Sequence, residues 1–395
     1  MSCAAAVRPH GLCCTAALCR PLQAAEGTSP PRDVSGRDMA ARWGICSAGK
    51  ISHDFTVALK SLPEEDHQIV AVAARNLKDA QEFAEKHNIP HAYGSYEEMS
   101  ADPDVDVVYI GSIHTQHLRL CLLFMNAQKN VLCEKPLAMN SREVQEILAC
   151  ARANRVFLME AVWTRFFPAS LEIKRLLAQG ELGEVKMVRA EFGAPLLGIP
   201  RAVEKELGGG ALLDVGIYCL QFACMVYNGE KPESVQVTGG RLETGVDECM
   251  VVTLRYSRNR LAVCMCSNAV QLPNEAVISG TKGSIRVPAH MWSPTSLIVN
   301  GKETQYPVPE PYLPLNFLNS TGLRYEAEEV RQCLLKACNT SNNLRIQLRS
   351  KKNCSSPCEG LKESPGMSHA DSLLLAELED EARRQVGVVY HQDRQ

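Results

Sequence analysis

Short β-rich runs alternate with helical stretches between Arg42 and Cys133, and this alternation limits the fold more than any other feature of the chain. The runs are Trp43-Gly44-Ile45-Cys46, residues 69–74, residues 105–110 and Asn130-Val131-Leu132-Cys133, with helical stretches between them, as at 78–87 and 115–128. Strands so separated are joined by helical crossovers, which implies βαβ units and a parallel sheet. Right-handed crossovers then make that sheet doubly wound, with a ligand crevice at the carboxyl ends of its strands.

After about residue 163 the order changes. Strand-like runs at 185–192, 234–239, 250–256, 261–266, 276–279, 284–287 and 296–299 follow one another, and only 211–226 reads as helix among them. Successive strands with short turns indicate an antiparallel or mixed sheet in an α+β domain. Helices are expected at 325–338 and 371–385. Residues 1–38 lack periodicity and are expected to be a disordered extension; the polar, basic stretch beginning at Asn339 is expected to be a disordered insert over 339–360. Arg8, Arg20, Arg32 and Arg37 hint at a targeting peptide, against which stand Glu26, Asp33 and Asp38.

Composition narrows the partners. A formal net charge of -3 provides no basic field for nucleic acid or an anionic membrane, and no uninterrupted apolar run approaches the roughly 20 residues of a bilayer span. Small molecules are the expected partners. Nine of the 17 cysteines lie between Cys46 and Cys266, many inside apolar runs, which suits buried thiols in a reducing, cytoplasmic setting. Neither His114-x-x-His117 nor Cys354-x-x-x-Cys358 has an evident companion ligand, so no metal is expected.

Four constellations carry chemistry. The first turn, Gly44-Ile45-Cys46-Ser47-Ala48-Gly49-Lys50-Ile51-Ser52, joins a strand to a helix where a dinucleotide pyrophosphate would sit. Ser47 stands at the first glycine position of the usual pattern, Gly49 keeps the close-approach position, and Ser52 replaces the third small residue. The second strand ends in Arg75 rather than a carboxylate, a guanidinium that suits the 2′-phosphate of NADP, with Lys78 nearby. Glu134-Lys135-Pro136 follows an apolar strand directly. Finally, Gly208-Gly209-Gly210 leads into a helix on which Asp214 and Tyr218, four apart, share a face. A phenol beside a lysine is a general acid/base whose pKa the ammonium would lower. Each of these residues is common by itself: a strand-end lysine is often a surface residue and a helical tyrosine is often core.

In this order the motifs resemble the glucose–fructose oxidoreductase / inositol dehydrogenase (Gfo/Idh/MocA) family, over residues 42–338 and 361–391. The resemblance implies a Rossmann-type doubly wound parallel sheet over 40–162, then an α+β domain over 163–338 and 361–391 with a large, mostly antiparallel open sheet. It implies NADP-dependent oxidation of trans-dihydrodiols of aromatic hydrocarbons to catechols and of D-xylose to its lactone, by a homodimer packed through the second domain's sheet. Tyr218 would transfer the substrate proton, Lys135 would assist and Asp214 would orient. Cofactor contacts would come from Ser47, Gly49, Lys50, Ile51, Arg75, Tyr109, His114, His117, Glu134, Lys135 and Pro136. The substrate pocket would be formed by Trp163, Arg165, Phe192, Ile217 and Phe317. One departure is Asp79, where a second phosphate-binding arginine would be expected. The competing class is a non-catalytic NADP(H)-binding sensor or regulator, which would not need the Lys135–Tyr218 pair.

Overall fold

The structure, a computed structural model, describes residues 40–348 and 361–394. The expected extension and residues 349–360 of the expected insert, including Cys354 and Cys358, lie outside the described residues.

The first sheet contains β1 (Ala41–Cys46), β2 (His67–Ala73), β3 (His91–Tyr93), β4 (Val107–Ile110), β5 (Asn130–Glu134) and β6 (Leu158–Ala161), all parallel in the order β3-β2-β1-β4-β5-β6. Its connections are α1 (Lys50–Leu59), α2 (Leu77–His87), α3 (Tyr96–Ser100), α4 (His117–Asn126) and α5 (Ser141–Asn154). Local chemistry sets their ends. The Asn76 and Asn140 side chains accept the Asp79 and Glu143 N–H groups at the starts of α2 and α5, while Asn88 and Arg155 close them in the left-handed conformation. The strand order reverses between β1 and β4, so the chain diverges there and opens a crevice at their carboxyl ends.

The second sheet follows α6 (Pro168–Ala178) and β7 (Val185–Gly193). The short α7 (Pro200–Val203) and α8 (Ile217–Val226) come next, then β8 (Ser234–Arg241), β9 (Asp247–Tyr256), β10 (Arg260–Ser267), β11 (Ala276–Gly280), β12 (Ser284–Val287), β13 (Ser296–Val299) and β14 (Lys302–Gln305). Their order is β14-β13-β12-β11-β7-β10-β9-β8, and every pair is antiparallel except β10 with β7. The α8 helix is apolar all round and fully buried against β7 and β10. By length and composition the stretch Lys205–Val226 is apolar enough to cross a membrane, yet its apolar window is entirely inside the protein, so it is core.

The chain ends in α9 (Leu323–Leu348) and α10 (His369–Val386). The α9 helix therefore runs ten residues into the stretch expected as loop from 339 onward. A capping box between Ser368 and Asp371 starts α10, and Gly387 in the left-handed conformation ends it. Every strand expected from the sequence forms. Three strands lie outside the expected runs: the short β3, β6, whose apolar run is broken by Glu160, and the wholly polar β14; α6 is a further addition.

Candidate active site

At the crevice between β1 and β4 the turn after β1 carries Ser47 at φ +92°, a left-handed backbone that a glycine adopts without strain, consistent with its place at a glycine position. Gly49 is the N-cap of α1, has no capping side chain, and leaves the first N–H groups of α1 facing the crevice. Across the switch point, a Cβ on Gly111 would lie 2.3 Å from Ser52 Oγ, so the first turn of α1 packs against the residue after β4 too closely for any side chain there. These residues fit a dinucleotide pyrophosphate. A cleft of about 510 Å³ continues outward, lined by Ser47, Gly49, Lys50, Arg75, Asp79 and Asn316 among others, with Ile51 half-buried behind it.

Arg75 is exposed in this cleft. Asp79 shares it, but the Asp79 carboxylate accepts from Asn76 Nδ2 at 2.7 Å and its N–H donates back to Asn76 Oδ1, so the acid belongs to the helix cap. Lys78 does not line the cleft as expected. Its side chain is 83% exposed and points to Glu82, one turn along α2.

The reacting groups expected from the sequence meet where β5 ends. Lys135 Nζ donates to the Asp214 carbonyl oxygen at 2.6 Å, stands 4.0 Å from Asp214 Oδ1, and lies over the Tyr218 ring, 4.6 Å from its centroid. Asp214 and Tyr218 converge because residues Leu212–Gly216 wind as a π-helix before α8 begins. Tyr218 Oη accepts from Trp163 Nε1 at 3.1 Å. Behind Lys135, Glu134 accepts from Tyr109 Oη at 2.6 Å and from the Lys135 N–H at 3.2 Å.

Electrostatics correct one expectation. Lys135 was expected to draw the Tyr218 pKa down; instead burial, with Glu134 and Asp214 adding to it, pushes the phenol well above its ordinary range. The ammonium sits over the ring face and donates one of its hydrogen bonds to the Asp214 carbonyl, and its charge does not outweigh the burial of the phenol. Burial lowers Lys135 itself, with Arg201 helping. Asp214 is buried, which raises it, but Arg201 and Lys135 outweigh that and hold it below its usual value.

Several other expected contacts fall elsewhere. Tyr109 is fully buried, stacked on Phe55 with centroids 3.7 Å apart, so it cannot touch a nicotinamide, and its hydroxyl holds Glu134 instead. His117 is fully buried too, with Nδ1 2.8 Å from the carbonyl oxygen of the buried Pro136 and Nε2 3.1 Å from that of Ser112. His114 donates from Nε2 to the Gly208 carbonyl at 2.8 Å, which fastens the β4 loop to the glycine-rich loop. Both histidines are fasteners in the cofactor-side wall. Arg165 is not in the substrate pocket: its guanidinium pairs with Asp371 at 3.1 Å and reaches Gln221, tying the turn Trp163–Phe166 to α10 and α8.

Phe192 does flank Tyr218, at 5.7 Å between centroids, and Ile217 is buried beside it. Phe317 is 45% exposed on a segment that Asp54 of α1 fastens down by accepting the Asn316 and Phe317 N–H groups. Three residues were missed. Trp292 stacks on Phe192 with centroids 3.7 Å apart and an interplanar angle of 2°. Arg201 of α7 grips Asp214 with both guanidinium nitrogens, at 2.9 and 3.2 Å. Glu326 of α9 is fully buried beside Glu134, with neither oxygen partnered among the described residues. A Pro-Arg dipeptide opening a one-turn helix, a lone tryptophan and a helical glutamate carry no sequence signal that could have found them.

The comparisons agree with this architecture. Residues 41–162 match an oxidoreductase family with an NAD-binding Rossmann fold, and residues 170–286 match the GFO/IDH/MocA C-terminal domain. The chain is 68% identical over 357 residues to trans-1,2-dihydrobenzene-1,2-diol dehydrogenase of Danio rerio, covering 90% of this chain and all of that one. It is 48% identical to the Homo sapiens protein of the same name, again over 90% of this chain and all of the relative. Among solved structures, levoglucosan dehydrogenase in complex with NADH superposes with a TM-score of 0.72 at 17% identity, over 89% of this chain and 100% of that one. An aldose-aldose oxidoreductase from Caulobacter crescentus does so at 0.70 and 19%, over 88% and 98%. With its two sheets, dinucleotide turn and relatives, the chain belongs to the Gfo/Idh/MocA family and is an NAD(P)-dependent oxidoreductase.

Proposed function

We propose that the chain oxidises cyclic vicinal diols and aldoses with NADP, turning trans-dihydrodiols of aromatic hydrocarbons into catechols and D-xylose into its lactone. The observation that carries this reading is the convergence of Lys135, Asp214 and Tyr218 beside the stacked Phe192–Trp292 pair. The aromatic wall suits the flat face of an arene diol or the apolar face of a pyranose. The relatives' name supports the diol. The exposed Arg75, uncontested by the capped Asp79, favours a 2′-phosphate and hence NADP.

Bound nicotinamide supplies the hydride acceptor. The chain's own part is the proton: Tyr218 takes it from the substrate hydroxyl as the C–H hydride leaves, while Lys135 and Asp214, braced by Arg201, hold the hydroxyl in place. A sensor of the same family would not need this set. Tyr218→Phe is expected to lower turnover by about 10²–10⁴-fold with NADPH binding retained. Measuring NADPH formation with D-xylose and a benzene dihydrodiol, alongside cofactor binding, separates the two classes. Unchanged turnover in the variant refutes the role given to Tyr218; tight NADPH binding without turnover in the wild type refutes the enzyme assignment.

The outer face of the second sheet leaves Met187 and Val251 exposed and Leu261, Val263, Met265 and Val277 half-buried on paired strands. That face, on which Arg189 and Arg255 alternate with the apolar residues, supports a homodimer formed through the sheet. Buried thiols such as Cys46, Cys121 and Cys264 fit a reducing compartment, and we place the protein in the cytoplasm.

A further inference from the structure

Behind the turn that carries Trp163 lies a second cavity, about 780 Å³ in volume, between α6, the end of α8 and the start of α10. None of the residues assigned above to proton transfer or cofactor binding lines it. Its charged lining consists of Arg165, Lys174 and Asp371, and Leu177, Met225 and Val226 form an apolar wall.

The lining carries two cations and one carboxylate, with Glu329 near enough to Lys174 to act on it. Asp371 is engaged twice, accepting from the Arg165 guanidinium at 3.1 Å and from Ser368 in the cap of α10. Arg165, with a side chain only 3% exposed, uses Nε on Gln221 and Nη1 on Asp371 and the Gly366 carbonyl, and its Nη2, enclosed by protein, has no partner among the described residues. Guanidinium donors point outward in a fixed fork, so Nη2 cannot swing round to share a bond already made. Lys174 makes no ion pair among the described residues, and burial together with Arg165 lowers it to about 8, so its ammonium would gain from a nearby anion. The dipole of the 18-residue α10, whose first turn lines the cavity, adds positive potential.

We propose that this cavity binds a small organic anion, its carboxylate or phosphate head on Lys174 Nζ, within the field of the Arg165 guanidinium that lines the same cavity, and its apolar body against Leu177, Met225 and Val226. The geometry requires both parts of the ligand: a bare inorganic ion leaves the wall unfilled, and a neutral aromatic leaves Lys174 unpaired.

The test uses the full chain loaded with NADPH, titrated calorimetrically with benzoate and phenyl phosphate, and with inorganic phosphate and benzyl alcohol as partial ligands. The amphipathic anions are expected to bind saturably, at least about tenfold more tightly than either partial ligand, and Lys174→Met should weaken them about tenfold or more, the worth of one charge-assisted hydrogen bond. Lys135→Met should leave this binding intact, which separates the cavity from the active site. A second measurement needs no variant: bound phenyl phosphate should protect Lys174 from acylation by an activated ester, read by peptide mass spectrometry, while the exposed Lys78 stays reactive. Absence of saturable binding, equal affinity in Lys174→Met, or equal acylation of Lys174 with and without ligand overturns the proposal.

Discussion

Gly208 and Gly180 share nearly the same left-handed backbone, at φ +75° and +71°, but differ in what surrounds them. A Cβ at Gly180 meets nothing within 4 Å, whereas at Gly208 it would sit 2.2 Å from His114 Nε2 and 2.6 Å from His114 Cδ2. Gly180→Ala therefore carries only the backbone penalty, about 1–2 kcal/mol. Gly208→Ala adds overpacking of about 1–3 kcal/mol and displaces His114 from the Gly208 carbonyl, leaving a buried donor unmet at about 1–3 kcal/mol. The expected loss at Gly208 is thus about 3–5 kcal/mol once partial relaxation is allowed, two or more beyond its control. Guanidinium unfolding followed by circular dichroism measures both, with slopes compared to confirm that the unfolded state is unchanged. Adding His114→Ala to Gly208→Ala should recover part of the loss, because the colliding ring is gone. Equal destabilisation at the two glycines, or no recovery in the double variant, would refute the argument that His114 packs against that loop.

Arg201→Met removes the bidentate partner of Asp214 from a side chain that is itself 45% exposed, so the fold should survive while kcat/KM falls about 10–100-fold, equivalent to losing a hydrogen bond to a charged group; steady-state kinetics unchanged from wild type would remove Arg201 from the site. Because burial raises Tyr218, with the neighbouring carboxylates adding to it, the oxidation rate at saturating substrate should climb with pH through the range above neutrality, and a flat profile would contradict its role as proton acceptor. Burial lowers His114 and His87 to about 4 from an ordinary 6.5. The folded state thus favours the neutral imidazoles; this stability is fully present above pH 6.5 and is lost as pH falls toward 4, amounting to about 3 kcal/mol for His114. Unfolding midpoints at pH 7 and pH 4.5 should differ accordingly, and His114→Asn should shrink the difference. Arg75→Asp should lower kcat/KM for NADP at least about tenfold and spare NAD, the loss of a forked contact to phosphate; an unchanged ratio would return Arg75 to an ordinary solvated loop.

Much of the site was legible because it lies at places where local pattern changes. Lys135 stands two residues beyond the apolar run that becomes β5, Gly49 opens α1, and the three glycines lead into the apolar α8, so each could be assigned to a strand end or helix start from its neighbours alone. The Ser47 substitution was readable for the same reason, since a left-handed backbone is a property of one residue. Contacts between distant segments were not readable. His114 and Gly208 are 94 residues apart, Lys135 and Asp214 are 79 apart, and neither the role of the histidine as fastener nor the seat of the ammonium over the Tyr218 ring follows from spacing. Arg165 shows the limit: its aromatic neighbours suggested a pocket, and only the packing of α10 against the turn Trp163–Phe166 shows that it faces Asp371 instead.

The sequence by itself determined the two kinds of sheet, the dinucleotide turn, and the identities of the lysine, aspartate and tyrosine, since periodicity and turn chemistry act over a few residues. Tertiary structure alone decided the strand order that opens the crevice, the recruitment of Arg201 and Trp292, and the high pKa of the phenol. Those depend on which surfaces the fold buries together, and burial is a property of the assembled core rather than of any segment within it.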